Sequence, residues 1–102
     1  MGLIIIIPAD ASQPVQSREA DEQPPVHELN AIVGGSLEHV PLWNDYMGMD
    51  CAVYCNEEGK LHNMPVNVRA TVLWYQHNGR RLDDVLVGDV VMVVGLPDKP
   101  EE

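Results

Sequence analysis

Phenylalanine is missing from this chain altogether, and cations are scarce: six lysines and arginines stand against sixteen aspartates and glutamates, giving a formal net charge of −10 over 102 residues. Without phenylalanine a core must be built from Ile, Val, Leu and Met with the help of two tryptophans, and a hydrophobic share of 45% is enough for one globular core. The acidic excess repels phosphate, so direct binding to nucleic acid is not expected unless Arg69, Arg80 and Arg81 gather locally. Long apolar runs are lacking too. The opening run 3–7 is five residues with no basic residue before it and Pro8 and Asp10 after it, too short for a signal peptide or a membrane span. The expectation is a cytoplasmic protein with no membrane partner. Cysteine is limited to Cys51 and Cys55. Four positions apart on a strand, they share a face with Cα atoms roughly 13 Å apart, which is too far for a disulfide. They are read as two buried free thiols, since no CxxC or HxxxH pair supports a metal site with His62.

What is present is arranged around residues 61–77. Pro65 suits a first helical turn and Asn63 suits a cap, so a helix is expected to start near residue 64. Val66, Ala70 and Leu73 form one row at the helical period, and Val68, Val72 and Tyr75 form a second. A helix that apolar should be mostly covered by a sheet, leaving Asn67, Arg69, Thr71 and Gln76 as its polar side.

The remaining elements follow from local signals. Residues 3–8 show no alternation and read as an inner strand covered on both faces. Residues 14–18 read as an edge strand hairpinned onto it, because a structureless connection of the length of 9–25 is uncommon. Pro24 and Pro25 introduce a helix over 26–33, with Val26, Leu29, Ile32 and Val33 as its stripe and Gly34-Gly35 as its stop. Those glycines follow a helix rather than precede one, so they read as a cap and not as a phosphate cradle. Residues 36–42 have strand character, 43–48 form a loop, and 49–56 alternate as a half-buried strand that ends in the 56–59 turn. Residues 85–94 make either a tight hairpin or a bend into one buried strand. The expected fold is α+β: a single domain over residues 1–96 with one mixed or mainly antiparallel sheet of four to six strands and two helices packed on a face of it, followed by a frayed acidic tail at 97–102. Without the less certain strands the order is the ferredoxin-like one.

The motifs Leu-Ile-Ile-Ile-Ile-Pro-Ala-Asp (3–10), Val-Gly-Gly-x-Leu-Glu (33–38), Asn-Glu-Glu-Gly-Lys-Leu (56–61), Pro-x-Asn-x-x-Ala-Thr (65–71) and Val-Gly-Asp-Val-Val (87–91) occur in that order. Taken together they resemble an uncharacterised small-protein family, a domain of unknown function, from bacterial phages, plasmids and mobile elements. The resemblance implies an accessory protein in a bacterial host cell and supplies no activity.

Candidate chemistry is sparse. Asp83, Asp84 and Asp89 read as solvated turns rather than a hard-metal site, and His27, His39, His62 and His77 are scattered. A thiol within a strand lacks the helix start that would favour a thiolate, and no nucleophile elbow is visible. The expectation is a protein without cofactor or metal that is not an enzyme. It would act by binding a host or phage protein, or itself as a homodimer. Trp43, Tyr46, Met47 and Met49 are the candidate interface, against a competing reading as a loop folded over the core. The alternative is a small-molecule or nucleotide-signal binder, with Asn56, Lys60, Asn67 and Arg69 converging near the start of the main helix.

Overall fold

Residues 3–7 and 90–94 are apolar at every position, a pattern a strand satisfies only when both its faces are covered. In the computed structural model, which describes residues 2–96, both segments are inner strands of one sheet. The elements in order are β1 (Gly2–Ile7), β2 (Gln16–Ala20), α1 (Val26–Val33), β3 (Leu37–His39), β4 (Asp45–Tyr46), β5 (Met49–Asn56), α2 (Val68–Asn78) and β6 (Val90–Val94). The sheet runs β2-β1-β6-β5-β3 with β4 folded onto β5, and every pairing is antiparallel. The α+β class, the edge strand after residue 14 and the first helix are as expected.

The placement of the helices is not as expected. They lie on opposite faces instead of sharing one. Ile5, Ile7, Val53, Val90, Met92 and Val94 pack toward Ala70 and Trp74 of α2, while Ile4, Val91 and Val93 pack toward Leu29 and Val33 of α1. The register puts Ile5 opposite Met92 and Ile4 opposite Val93, so the alternation along β1 and β6 feeds both layers. The reason lies in the strands themselves: β6 is buried along its whole length, and one helix per face is the arrangement that covers it. The element order is still the ferredoxin-like one with strands added, but order alone does not decide on which face a helix packs.

α1 ends where Gly34 takes the left-handed conformation, φ 82°, and its N–H closes on the carbonyl of Asn30. Arg18 of β2 pairs with Glu28 of α1 at the surface. The segment expected as a plain loop over 43–48 contains a small hairpin instead, with Asp45 opposite Asp50 and Tyr46 opposite Met49. Met47 and Gly48 turn it with φ of 53° and 82°, the positive values that a tight two-residue hairpin demands. The ambiguity over 85–94 resolves as a bend: Gly88 turns at φ 74° and hands the chain to β6.

α2 begins at Val68 and not near 64. Asn63 sits at φ 55°, and Val66 forms an isolated bridge with Val87. Gly88 N–H donates to the Pro65 carbonyl and Asn67 N–H donates to the Leu86 carbonyl, both at 2.8 Å. Once 65–67 is tied to 86–88 in this way its backbone is extended, and Asn67 becomes the cap by accepting from the Ala70 N–H at 3.0 Å. The buried stripe of the helix is then Asn67, Ala70, Thr71 and Trp74, spaced i, i+3, i+4, i+7, and two of those four are polar.

Each polar member of the stripe ties the helix to a backbone. Asn67 is 0% exposed, and its Nδ2 donates to the Ile7 carbonyl at 2.7 Å and the Gly88 carbonyl at 2.9 Å. Thr71 Oγ1 accepts from Leu86 N–H at 3.0 Å, Trp74 Nε1 donates to Pro41 at 2.8 Å, and Asn78 Nδ2 donates to Leu42 at 2.9 Å. Replacing Asn67 with Ala strands two buried carbonyls and one helical N–H, which at about 1–3 kcal/mol for an unsatisfied buried group predicts a loss on the order of 3 kcal/mol. Thermal unfolding of Asn67→Ala should show a melting temperature lower by about 10 °C or more. Asn67→Asp should fare no better, since it keeps the cap and aims a carboxylate at two carbonyl oxygens.

Candidate functional site

Because α2 is tethered through its polar residues, its apolar row faces outward. Val68, Val72 and Leu73 are 62%, 44% and 39% exposed and form one wall of a groove of about 430 Å³. Ile5, Ile7 and Met92 of the sheet line it as well, and Val15 and Tyr46 complete it. Among the described residues Arg69 is the one charged residue in the lining, and its Nη2 donates to the carbonyls of Pro8 at 2.7 Å and Asp10 at 3.0 Å. The guanidinium therefore holds the β1–β2 connection against the helix. Asp10 is further organised by Ser12, whose hydroxyl and N–H both donate to its carboxylate and hold it below the usual carboxylate range.

A second, smaller cleft of about 230 Å³ lies on the same side of the sheet, between the β3–β5 ladder and residues 84–87. Val40, Trp74 and Leu86 give it an apolar part, and Glu38, Lys60 and Asp84 give it charge. Lys60 pairs with Asp84 at the surface, and this hydrogen bond holds the Asp84 carboxyl below its ordinary range. Cys55 faces Glu38 across the ladder with Sγ 3.9 Å from Oε1. Burial first, and then the Glu38 carboxylate, push this thiol up to about 11. Cys51 is pushed to about 11 as well, by burial and then by Asp45 and Asp50. Neither thiol has the depressed pKa of an activated nucleophile. Among the described residues no histidine lines the cleft.

The four residues expected to converge on a ligand are separated. Asn56 and Lys60 line the cleft, Arg69 lines the groove, and Asn67 is enclosed in the core. Asn56 is itself buried, donating to the Val33 carbonyl at 3.1 Å and accepting from Glu58 N–H at 2.7 Å, so it braces the turn after β5 against the end of α1. The aromatic and methionine cluster divides as well. Trp43 is 3% exposed and belongs to the core, whereas Met47 is 80% exposed at the hairpin tip, with Tyr46 half-buried and Met49 partly open beside it.

Residues 3–102 match a protein family described as a domain of unknown function, DUF3846. The chain belongs to that family. No curated protein and no solved structure matches it. Among the described residues of this DUF3846 chain, no group of three or more His, Cys, Asp or Glu is placed to hold a metal ion, and no helix is long and apolar enough to cross a membrane.

The sequence reading missed Val15 and the outward turn of Val68, Val72 and Leu73. The available signal was the Asn67-x-x-x-Thr71 spacing, which marks a second stripe competing with the apolar rows for the inside.

Two outcomes follow. Arg69→Ala should lower stability by about 1–2 kcal/mol, as expected for charge-assisted bonds at a partly open site, and should speed amide exchange in residues 9–15 without global unfolding. The raised thiols make stability pH-dependent. The fold holds both protons more tightly than the unfolded chain does, so this contribution is complete below pH 9 and is lost as pH rises toward 11. Melting temperatures taken across that window should fall more steeply for the wild type than for a Cys51→Ala/Cys55→Ala variant.

Proposed function

We propose that this protein acts by binding a partner polypeptide at the groove beside α2, and not by catalysis. The observation that carries the reading is the mounting of α2, with polar residues inward and an apolar row left at the rim of a hollow. A helix facing the other way would bury that row and gain about 1.5–3 kcal/mol for each fully covered side chain. Large apolar side chains gathered around a concavity are the usual mark of a recognition surface. The resemblance to small proteins of phages and mobile elements supports an accessory role in a bacterial cell, with a host or phage protein as the partner and occupation of that partner as the mode of action.

A nucleotide-signal binder is less well supported. That reading needs the few cations to converge, and Arg18, Lys60 and Arg69 are engaged with Glu28, Asp84 and backbone carbonyls at separate places. The groove itself is lined almost entirely by carbon.

Val72 is the residue to change, since Val72→Asp puts a charge in the groove wall at an exposed helix position and should alter stability by less than about 1 kcal/mol. In affinity capture from bacterial host lysate, quantified by mass spectrometry, the wild type should retain a stoichiometric protein that Val72→Asp loses. The control Gln76→Asp should keep it. Identical capture by all three proteins would overturn the groove as the binding site.

A further inference from the structure

We infer that the cleft between the β3–β5 ladder and residues 84–87 binds a small organic cation, an alkylammonium or alkylguanidinium, with its charge at Glu38 and Glu57 and its hydrocarbon body over Val40, Trp74 and Leu86. This site goes beyond the groove proposed above and does not depend on it, since the two share no lining residue.

Strand alternation directs both carboxylates into the cleft. Glu38 is the cross-strand partner of Cys55, and its carboxylate stands 3.9 Å from the Cys55 Sγ. Glu57, whose N–H donates to the Ser36 carbonyl at 2.8 Å, continues the ladder two residues beyond Cys55, so it shares that face. Val40, two residues beyond Glu38, and Cys55 both belong to the core layer that packs on α2. Glu38 and Glu57 therefore rise on the side where Trp74 of α2 and Leu86 close the cleft from below. A volume of about 230 Å³ lies under the usual range for drug-sized ligands, so the occupant is a short chain with one charged head.

The sign of the ligand's charge follows from the hydrogen-bonding groups the lining has left over. Its neutral side-chain donors are engaged within the protein: Trp74 Nε1 with the Pro41 carbonyl at 2.8 Å, Asn56 Nδ2 with the Val33 carbonyl at 3.1 Å, and the Cys55 thiol with Glu38. Lys60, the one cation among the described lining residues, is paired with Asp84. Among the described residues Glu38 and Glu57 have no ion-pair partner, whereas Glu28, Glu58 and Asp84 each do. The cleft thus offers charged acceptors beside an apolar floor, and an anion or a neutral acceptor finds nothing to bind. An ammonium or guanidinium consists of donors only and brings the compensating charge, and an indole in the floor adds to the attraction. A hard metal ion takes six or more oxygens, and among the described residues no three His, Cys, Asp or Glu are placed to hold one. The Lys60–Asp84 pair at the rim is more than half exposed on both sides, 58% and 53%, so it contributes little and yields readily to an entering ligand.

The test titrates the full chain with butylguanidinium, butylammonium, butanol and butyrate by calorimetry, at about 0.15 M salt so that long-range attraction to the acidic chain is screened. Both cations should bind at least about tenfold more tightly than butanol, and butyrate should not bind. In nitrogen–proton correlation spectra the Trp74 indole N–H signal should move as butylguanidinium is added. Glu38→Gln should weaken butylguanidinium at least about fivefold, and Glu57→Gln should act in the same direction; both positions are exposed, so the melting temperature should hold. Glu19→Gln removes the same charge from β2, outside the cleft, and should leave the affinity unchanged, as should Val72→Asp in the groove. Equal losses in Glu19→Gln and Glu38→Gln would mean that the acidic chain attracts cations at large and would overturn the site. Butanol binding as tightly as butylguanidinium would overturn the charge assignment, and no heat from any probe with an unmoved Trp74 signal would overturn the inference. Each of these failures leaves the groove to be decided by the capture experiment with Val72→Asp alone.

Discussion

The side chain of Asn67 is the point on which this fold turns. One carboxamide, closed off from solvent, caps α2 with its oxygen and with its nitrogen joins the end of β1 to the bend before β6. Three separate parts of the chain, around Ile7, Asn67 and Gly88, meet on this one group. A buried amide is tolerable because both its nitrogen and its oxygen are hydrogen-bonded. Its position also determines the orientation of the helix, because Thr71, Trp74 and Asn78 follow it at helical spacing and find backbone partners of their own.

From that orientation comes the feature to which function is attributed. A helix held by hydrogen bonds to loop backbone does not need its apolar row for attachment, and Val68, Val72 and Leu73 are left beside a hollow over Ile5, Ile7 and Met92. Natural sequences are mostly consistent with their folds, so places where local preference and global placement disagree are where function is to be sought.

Much of the fold was legible because its signals are local. The absence of alternation in 3–7 and 90–94 announced inner strands, Pro24-Pro25 and Gly34-Gly35 bracketed α1, and the alternation of 49–56 gave β5. Less of the site could be read. The polar residues Asn67 and Thr71 were assigned to the outside because polarity usually faces water, yet their hydrogen bonds run to Ile7, Gly88 and Leu86, partners no local window contains. The start of α2 shifted for the same reason: the 86–88 segment takes the backbone groups of Pro65 and Asn67 and holds that stretch extended.

Composition and period therefore determined the class of fold, most strand and helix positions, the acidic field and the need for cover on both faces of β1 and β6. Tertiary structure decided which helix covers which face and which side of α2 points inward, and with that, that Asn67, Arg69, Asn56 and Lys60 part company. Period depends on neighbours along the chain. Facing depends on where a buried amide finds its carbonyls, and those are supplied by residues remote in sequence.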